Sequence, residues 1–199
     1  ISLVRAAGRG CYMARSDIQN AFKIIPIDPA DYELQGFEWQ GQYYFDKTLA
    51  MGCSLSCHIF EAFSTALQWI LQNKFKAELV THILDDFFFV HPSKRGCQTM
   101  LDKFLWLCND IGIPIAFDKT FGPDQVLPFV GITLDSINME TRLPPDKITK
   151  ATDLLAKYSK KRSIMLHELQ SLIGFLSFCC KVILPGRCFL RRLIDLTIG

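Results

Sequence analysis

Two adjacent acids interrupt an apolar run near the middle of the chain, and they restrict the possible folds more than any other feature. Asp85 and Asp86 lie within residues 83–90, where every other residue is aliphatic or aromatic. Such residues favour β-strands. Burial and mutual repulsion both disfavour two neighbouring carboxylates in an apolar environment. The pattern therefore predicts two strands joined by a tight turn, with the acids in the turn or just before it.

A divalent cation is the simplest partner for such an acid pair. Carboxylate oxygens are hard ligands that suit Mg²⁺ or Mn²⁺. Asp17 is the candidate third ligand, because it ends a short extended stretch that begins near Tyr12. An acid at the end of one strand and an acid pair on a nearby hairpin can share two ions. Two ions roughly 4 Å apart clamp the attacking and leaving oxygens of an in-line phosphoryl displacement.

Five motifs follow one another in a fixed order along almost the whole chain. They occupy residues 16–22, 49–56, 84–87, 112–119 and 129–134. Together they resemble the palm and thumb motifs of retroelement reverse transcriptases, most closely the retrotransposon enzymes of the DIRS-like and LTR kinds. The resemblance is carried by the order and spacing of all five motifs, since each motif alone is weak.

The resemblance implies an α+β fold with two domains. Residues 1–143 are expected to form a polymerase palm, an antiparallel sheet packed on helices, with a remnant of the fingers. Residues 144–199 are expected to form a small helical thumb or connection, and Pro144-Pro145 marks the boundary. Most of the fingers are expected to be missing. The apolar content of 49% is sufficient for a sizeable core.

Local patterns predict the individual elements of the first 143 residues. Gln40-Gly41 separates two strand-forming runs and predicts a β-hairpin. From Ser56, apolar residues recur at helical spacing. Ser93 is a candidate N-cap of another helix, which Gly112 would end. A single hairpin is expected over residues 128–143, with its turn near residues 135–136.

Beyond the two prolines, only helical patterns occur. Apolar stripes predict one helix from about Ile148 to Tyr158 and a second from about Leu166 to Leu176. A third, short helix is expected to begin near Gly186.

The resemblance assigns catalysis and metal binding to the acids. Asp17 and Asp85 are the expected metal ligands, Asp86 the supporting carboxylate, and the Ile18 backbone carbonyl completes the coordination of two Mg²⁺ or Mn²⁺ ions. The alternative is a pair of ordinary turn acids together with a helix-capping acid.

Nucleotide contacts are assigned to two motifs and one lysine. The implied nucleotide-binding residues are Ala21, Phe22, Met51, Gly52 and Lys119. Phe22 would pack beneath the incoming sugar and exclude a ribose 2′-hydroxyl, although a core phenylalanine is the alternative. Met51 departs from the glutamine that is common in the family. Lys119 would protonate or neutralise the departing pyrophosphate, and an ordinary surface lysine is the alternative.

Primer and template contacts are assigned to the fifth motif and to the C-terminal cations. The implied residues are Val130, Gly131, Ile132, Lys181, Arg187, Arg191 and Arg192. The alternatives are an ordinary strand with a glycine bulge and solvated helix faces. Because the net charge is only +2, any affinity for nucleic acid must come from such local clusters.

The predicted function is an RNA-directed DNA polymerase core that extends a primer 3′-hydroxyl by two-metal nucleotidyl transfer. Its partners would be an RNA/DNA primer–template, deoxynucleoside triphosphates and further domains of a longer retrotransposon polyprotein. A catalytically inert or domesticated module that binds nucleic acid or protein is the main alternative, and a nucleotidyl cyclase is a third. Neither a signal peptide nor a transmembrane segment is recognised, so an intracellular location, cytoplasmic or nuclear, is expected.

Overall fold

The chain is divided into two compact units. The computed structural model describes residues 1–198. The first unit contains Ile1–Leu127 and Ser136–Met139, and the second contains Pro128–Asp135 and the residues from Glu140 onward. The predicted α+β class is confirmed, because strands and helices both occur and the main sheet packs on helices. The palm and thumb boundary after residue 143 stays a prediction.

Nine strands and six α-helices form the described part of the chain. The strands are β1 (Tyr12–Ile18), β2 (Gly36–Trp39), β3 (Gln42–Phe45), β4 (Val80–Ile83), β5 (Asp86–His91), β6 (Ile115–Asp124), β7 (Val126–Phe129), β8 (Ile132–Asp135) and β9 (Glu140–Arg142). The helices are α1 (Ser2–Ala7), α2 (Ser54–Asn73), α3 (Lys94–Asp110), α4 (Pro145–Ser159), α5 (Leu166–Cys179) and α6 (Arg187–Asp195). Short 3₁₀ helices cover Ala21–Ile24, Pro29–Gln35 and Leu184–Gly186.

A four-stranded sheet in the order β4-β5-β1-β6 forms the centre of the first unit. Its neighbouring strands pair in the antiparallel sense. The predicted strand–turn–strand around the acid pair is confirmed, since β4 ends at Ile83 and β5 begins at Asp86. Strand β5 is buried on both faces from Phe87 to Val90. Its apolar side chains therefore anchor the turn that carries the acids.

Helices α2 and α3 pack on this sheet and form the core with it. Phe87 of β5 stacks on Phe104 of α3 with ring centroids 4.6 Å apart, and Phe60 of α2 is fully buried. The predicted cap of α3 is confirmed, because Ser93 Oγ accepts a hydrogen bond of 3.2 Å from Gly96 N. Gly112 follows this helix with a φ of +76°, a conformation that favours glycine.

The hairpin expected over residues 128–143 is confirmed only from β8 onward, where β8 and β9 pair in the antiparallel sense, and a further strand, β7, precedes it. The three strands form a sheet in the order β7-β8-β9. Val130 and Gly131 have φ values of +48° and +75°, as in a two-residue turn between antiparallel strands. The alternative of a continuous strand with a glycine bulge is therefore wrong. The second turn, Ser136–Met139, lies close to the expected position.

Helices α4, α5 and α6 confirm the three helices predicted after the two prolines. Helix α4 has no fully buried residue, and Ile148 and Leu155 are 51% and 50% exposed. The hairpin β2–β3 is confirmed around Gln40-Gly41, and all of its strand residues are exposed. Within residues 1–198, none of the helices has the length and apolar character needed to cross a bilayer.

Candidate active site

Strand pairing brings acids from two distant segments to the same edge of the main sheet. Asp17 of β1 lies directly opposite Asp86 of β5 in the antiparallel register. Next to this pair, the Ile18 amide donates a hydrogen bond of 3.2 Å to the backbone carbonyl of Asp85. Asp17 is buried, and Asp85 and Asp86 are half-buried. The three acids predicted to converge are therefore neighbours.

The electrostatic environment disfavours full ionisation of the acid pair. Burial is the main cause of the raised pKa of Asp85, and the charge of Asp17 adds to it. Burial also raises the pKa of Asp86 above its ordinary value, with contributions from Asp17 and Asp85. Arg15 and Lys119 act in the opposite direction on Asp86. The cluster thus carries more negative charge than the nearby cations neutralise.

The donor chemistry of this cluster fits a divalent cation. Carboxylate and backbone carbonyl oxygens are the ligands that Mg²⁺ and Mn²⁺ prefer. A bound cation would also offset the burial and the repulsion that raise the pKa values of Asp85 and Asp86. Among the described side chains, however, no group of three or more His, Cys, Asp or Glu residues is already arranged to hold a metal ion. The metal-binding roles of Asp17, Ile18, Asp85 and Asp86 stay predictions.

Lys119 extends from β6 to the same cluster. Its Nζ lies 3.2 Å from Asp17 Oδ1, although the side chain is 58% exposed. The hydrogen bond and the charge of Asp17 raise the pKa of this lysine. The ammonium group is therefore held in its charged form beside the acids. This favours electrostatic stabilisation of an anion over donation of a proton.

Arg15 is a neighbour of the cluster that the sequence analysis did not assign to the site. It lies two residues before Asp17 on β1, and its guanidinium lies 4.8 Å from the centroid of the Phe121 ring. Its positive charge opposes the rise in the pKa of Asp86 that burial causes. The alternation of side chains along β1, which places residues 15 and 17 on one face, is the signal that could have identified it.

Phe22 lies in the 3₁₀ helix that follows β1. Its half-buried ring packs edge-on against Phe60, with centroids 5.5 Å apart, and the preceding Ala21 is buried. The packing alternative for Phe22 is thus supported in part, since one side of the ring contacts the core. Its role beneath an incoming sugar, and the nucleotide contact of Ala21, stay predictions.

Met51 and Gly52 lie in the loop before α2. Two hydrogen bonds anchor this loop: Ser56 Oγ donates to the Ala50 carbonyl over 2.7 Å, and Leu49 N donates to the Ile25 carbonyl over 3.1 Å. Met51 is nevertheless 80% exposed, and Gly52 has a φ of +89° with open space around its Cα. The loop is fixed at its base and presents an uncovered side chain. Its contact with a nucleotide stays a prediction.

The predicted primer and template residues lie in the second unit. Gly131 lies close to α5, because a Cβ built at this position would lie 3.1 Å from Phe178 Cζ. The Nζ atoms of Lys147 and Lys181 lie 5.3 Å and 5.8 Å from the centroid of the Phe178 ring. The structure therefore brings Lys181 and the Val130–Gly131 turn to one ring.

The other predicted cations of this unit lie on α6. Arg187, Arg191 and Arg192 all belong to this helix, and Arg191 Nε pairs with Asp195 Oδ1 at 3.0 Å. Ile132 is the first residue of β8. Nucleic-acid binding by these residues stays a prediction.

Comparison with known proteins identifies the family. The family model described as "Reverse transcriptase (RNA-dependent DNA polymerase)" matches residues 2–134. This match covers more than half of the chain, so the chain belongs to the reverse transcriptase family. The predicted resemblance to retroelement reverse transcriptases is confirmed. The matched residues include all three acids and Lys119.

Viral proteins are among the relatives. Protein P of duck hepatitis B virus (strain China) is 28% identical over 164 residues, which cover 81% of this chain and 20% of that protein. The Pro-Pol polyprotein of feline foamy virus is 26% identical over 170 residues, which cover 85% of this chain and 14% of that protein. The chain thus spans about a fifth or less of these relatives.

Solved structures support the fold. The foamy viral protease–reverse transcriptase in complex with an RNA/DNA hybrid has a TM-score of 0.71 at 18% identity, covering 96% of this chain and 26% of that one. The same viral protein in complex with dsDNA has a TM-score of 0.67 at 21% identity, covering 84% of this chain and 32% of that one.

Proposed function

We propose that this chain is the polymerase core of a reverse transcriptase, which extends a primer 3′-hydroxyl with deoxynucleoside triphosphates on an RNA or DNA template. The observation that carries the proposal is the direct pairing of Asp17 with Asp86, together with the hydrogen bond from the Ile18 amide to the Asp85 carbonyl. Backbone pairing of two strands thereby brings the segments that carry the three acids next to each other. This arrangement suits nucleotidyl transfer, which depends on positioning and charge neutralisation.

In this proposal the acids bind two Mg²⁺ or Mn²⁺ ions. Asp17 and Asp85 would be the main ligands, and Asp86 and the Ile18 carbonyl would support them. When bound, such ions would activate the primer hydroxyl and neutralise charge on the leaving pyrophosphate. The burial that raises the pKa of Asp85 and Asp86 also excludes water, which strengthens electrostatic interactions with the reacting groups.

The other residues would bind and orient the substrates. Lys119 would stabilise the pyrophosphate, because its charged ammonium lies beside Asp17. The predicted nucleotide contacts are Ala21, Phe22, Met51 and Gly52. The predicted primer and template contacts are Val130, Gly131, Ile132, Lys181, Arg187, Arg191 and Arg192. Contacts of this second kind would be to phosphates and independent of sequence.

The proposed parent is a retrotransposon polyprotein with further domains and an intracellular location. The similarity to a Pro-Pol polyprotein and the small share of it that this chain spans support a longer parent. The relatives named above are viral, so the retrotransposon origin rests on the sequence motifs.

The second candidate function is a reverse-transcriptase-like module that binds nucleic acid or protein without catalysis. One observation favours it: Lys119 neutralises Asp17, one of the expected metal ligands. The geometry of the acids favours the enzyme, because a binding module has no need for three repelling carboxylates.

Primer extension by the full parent chain decides between the two functions. We expect extension on RNA and DNA templates with Mg²⁺ or Mn²⁺. Asp85→Ala should reduce it by about 100-fold or more, because a main electrostatic group is removed. Asp102→Ala is the matched control, since Asp102 is an exposed acid on α3, and it should retain activity. Failure of the parent to extend any primer would favour the binding module.

A further inference from the structure

A single glutamate contacts two residues of the β4–β5 segment that carries the acid pair. Glu61 of α2 accepts a hydrogen bond of 3.2 Å from the Leu84 amide through its Oε2. Its other oxygen, Oε1, lies 3.1 Å from His82 Nε2. The two oxygens of one carboxylate therefore connect the long helix to the turn and to strand β4. Glu61 belongs to none of the sites described above.

The Leu84 amide needs such a partner because of the turn geometry. Leu84 has a φ of +53°, a left-handed backbone conformation that residues other than glycine rarely adopt. The β4–β5 pairing ends at Ile83 and Asp86, so the strand ladder does not satisfy this amide. The Leu84 side chain meanwhile packs against the core. Glu61 thus stabilises a backbone conformation that the tight turn requires.

His82 is held on three sides. Its Nδ1 lies 2.6 Å from Gln68 Oε1, and its ring stacks on Phe87 with centroids 5.3 Å apart. Its side chain is only 6% exposed. Within the described residues, Nε2 has no well-aligned hydrogen bond, so the 3.1 Å approach of Glu61 Oε1 is a close polar contact. The imidazole ring is therefore fixed in position, and its contact with Oε1 orients the Glu61 carboxylate.

A hydrogen bond from strand β1 also holds the β4–β5 turn. Asp85 follows Leu84, and its carbonyl accepts the hydrogen bond from the Ile18 amide of β1. The Ile83–Leu84 and Asp85–Asp86 peptide units are thus held, the first by α2 and the second by β1. Loss of the Glu61 contact would free only the first of them. The direction of the Asp85 and Asp86 side chains would then be less well defined.

We propose that Glu61 and His82 form a positioning pair that sets the β4–β5 turn, so that Asp85 and Asp86 face Asp17. This role deepens the proposed polymerase function and rests on it for its kinetic consequence. The pair does not contact substrate. Its effect on chemistry passes through the Leu84 amide to the two acids.

Amide hydrogen exchange tests the positioning pair without any need for catalysis. In Glu61→Ala, protection of the Leu84 amide should fall by about tenfold or more. The affinity for Mn²⁺ should fall by about 10- to 100-fold. The paramagnetic effect of Mn²⁺ on the NMR signals of Asp85 measures that affinity. Glu61→Gln keeps an acceptor for the amide and should behave as the unmodified chain. Glu78→Ala is the matched control, because Glu78 is an exposed acid just before β4.

One further variant and one kinetic measurement separate positioning from simple loss of stability. His82→Phe keeps a ring on Phe87 but removes both nitrogens, and its Mn²⁺ affinity should fall between that of Glu61→Ala and that of the unmodified chain. In primer extension by the parent, Glu61→Ala should lower kcat and leave the KM for nucleotide within about twofold.

The outcomes of these tests are distinct. If Glu61→Ala and Glu78→Ala give the same Leu84 exchange and the same Mn²⁺ affinity, the positioning pair is overturned. If the unmodified parent extends no primer while Glu61→Ala still loses Leu84 protection, the polymerase proposal fails and the structural role of Glu61 stands.

Discussion

Ionised Asp85 and Asp86 are unfavourable for stability, and their proposed role is in catalysis. Burial and neighbouring charge raise the pKa of both carboxyls, so that ionising them costs free energy in the folded chain. Groups with strongly shifted pKa values concentrate at functional sites, where such a cost is balanced by ligand binding. The same two residues should therefore give opposite results in stability and activity experiments.

Asp85→Asn should raise the melting temperature at neutral pH while it removes polymerase activity. The folded-state pKa lies above the ordinary value of 3.8, so the folded chain binds the proton more tightly than the unfolded chain. Stability attributable to this group therefore falls as the pH rises above about 3.8, and the amide avoids that loss. Since 1 kcal/mol corresponds to about 2–4 °C in a chain of this size, the expected gain is a few degrees or less.

Calorimetry at pH 4 and pH 7 measures this effect, with Asp102→Asn as the exposed control. The gain for Asp85→Asn should be larger at pH 7. A lower melting temperature than that of the unmodified chain at pH 7, with no change in the control, would contradict the assigned electrostatics.

Phe22→Val should allow incorporation of ribonucleotides. The half-buried ring packs edge-on against Phe60, and in the proposed role a shorter side chain would open space for a 2′-hydroxyl. The ratio of kcat/KM for deoxynucleotide over ribonucleotide should fall about tenfold or more, in the range expected when a steric contact is removed. Phe63→Val is the matched control, because this half-buried ring also packs on Phe60, with centroids 5.7 Å apart. Equal sugar selectivity in the two variants would refute the gate.

Close packing at the beginning of α3 depends on a glycine. His91, the last residue of β5, folds back so that its Nδ1 accepts a hydrogen bond of 3.0 Å from Ser93 N. Ser93 also caps the helix. A Cβ at Gly96 would lie 2.1 Å from His91 Cε1, a distance that the ring can tolerate only by moving away. The β5–α3 connection thus joins the strand of the acid pair to the core helix.

Gly96→Ala should destabilise the fold by about 1–2 kcal/mol, since displacement of the imidazole removes its contacts with Ser93. Gly174→Ala in α5 is the matched comparison, because nothing lies within 4 Å of a Cβ at that exposed helical position. That variant should stabilise by about 0.5–1 kcal/mol. Urea unfolding measures both, and the same sign for both changes would contradict the steric argument.

At the scale of the whole molecule, positive charge is concentrated in small clusters and the net charge is low. The net charge of +2 provides no global attraction for nucleic acid. In the second unit, by contrast, the ammonium groups of Lys147 and Lys181 lie near the Phe178 ring, close to the Gly131 turn. Helix α6 adds three arginines. Binding of a phosphate backbone should therefore depend on a few cations and respond strongly to salt.

Arg192→Gln should weaken binding of an RNA/DNA hybrid and lower the salt slope by about one. Arg191→Gln should have the smaller effect, because Arg191 is paired with Asp195, whereas Arg192 has no ion pair within residues 1–198. Titration of the parent with a labelled hybrid between 50 and 200 mM salt, the range over which such contacts weaken, measures both slopes. A slope that neither variant changes would exclude α6 from the interface.

Several features could be predicted from local patterns alone. The turn at the acid pair, the Ser93 cap and the Gln40-Gly41 hairpin each depend on residues a few positions apart, so the printed sequence contains the complete signal. Strand β7 was not separated from β8, because the residues from Pro128 to the turn near 135–136 were expected to form one strand of a hairpin. The turn at Val130–Gly131 lies inside that expected strand and was therefore not recognised.

The relations between distant residues were decided by the tertiary structure. The position of Asp17 opposite Asp86, the contact of Lys119 with Asp17, and the link from Glu61 to Leu84 join different elements. Family motifs implied the first of these, and no spacing in the sequence implied the last. The physical reason is range: caps and turns are satisfied within one stretch of backbone, whereas strand register and side-chain contacts are selected by packing of the entire core.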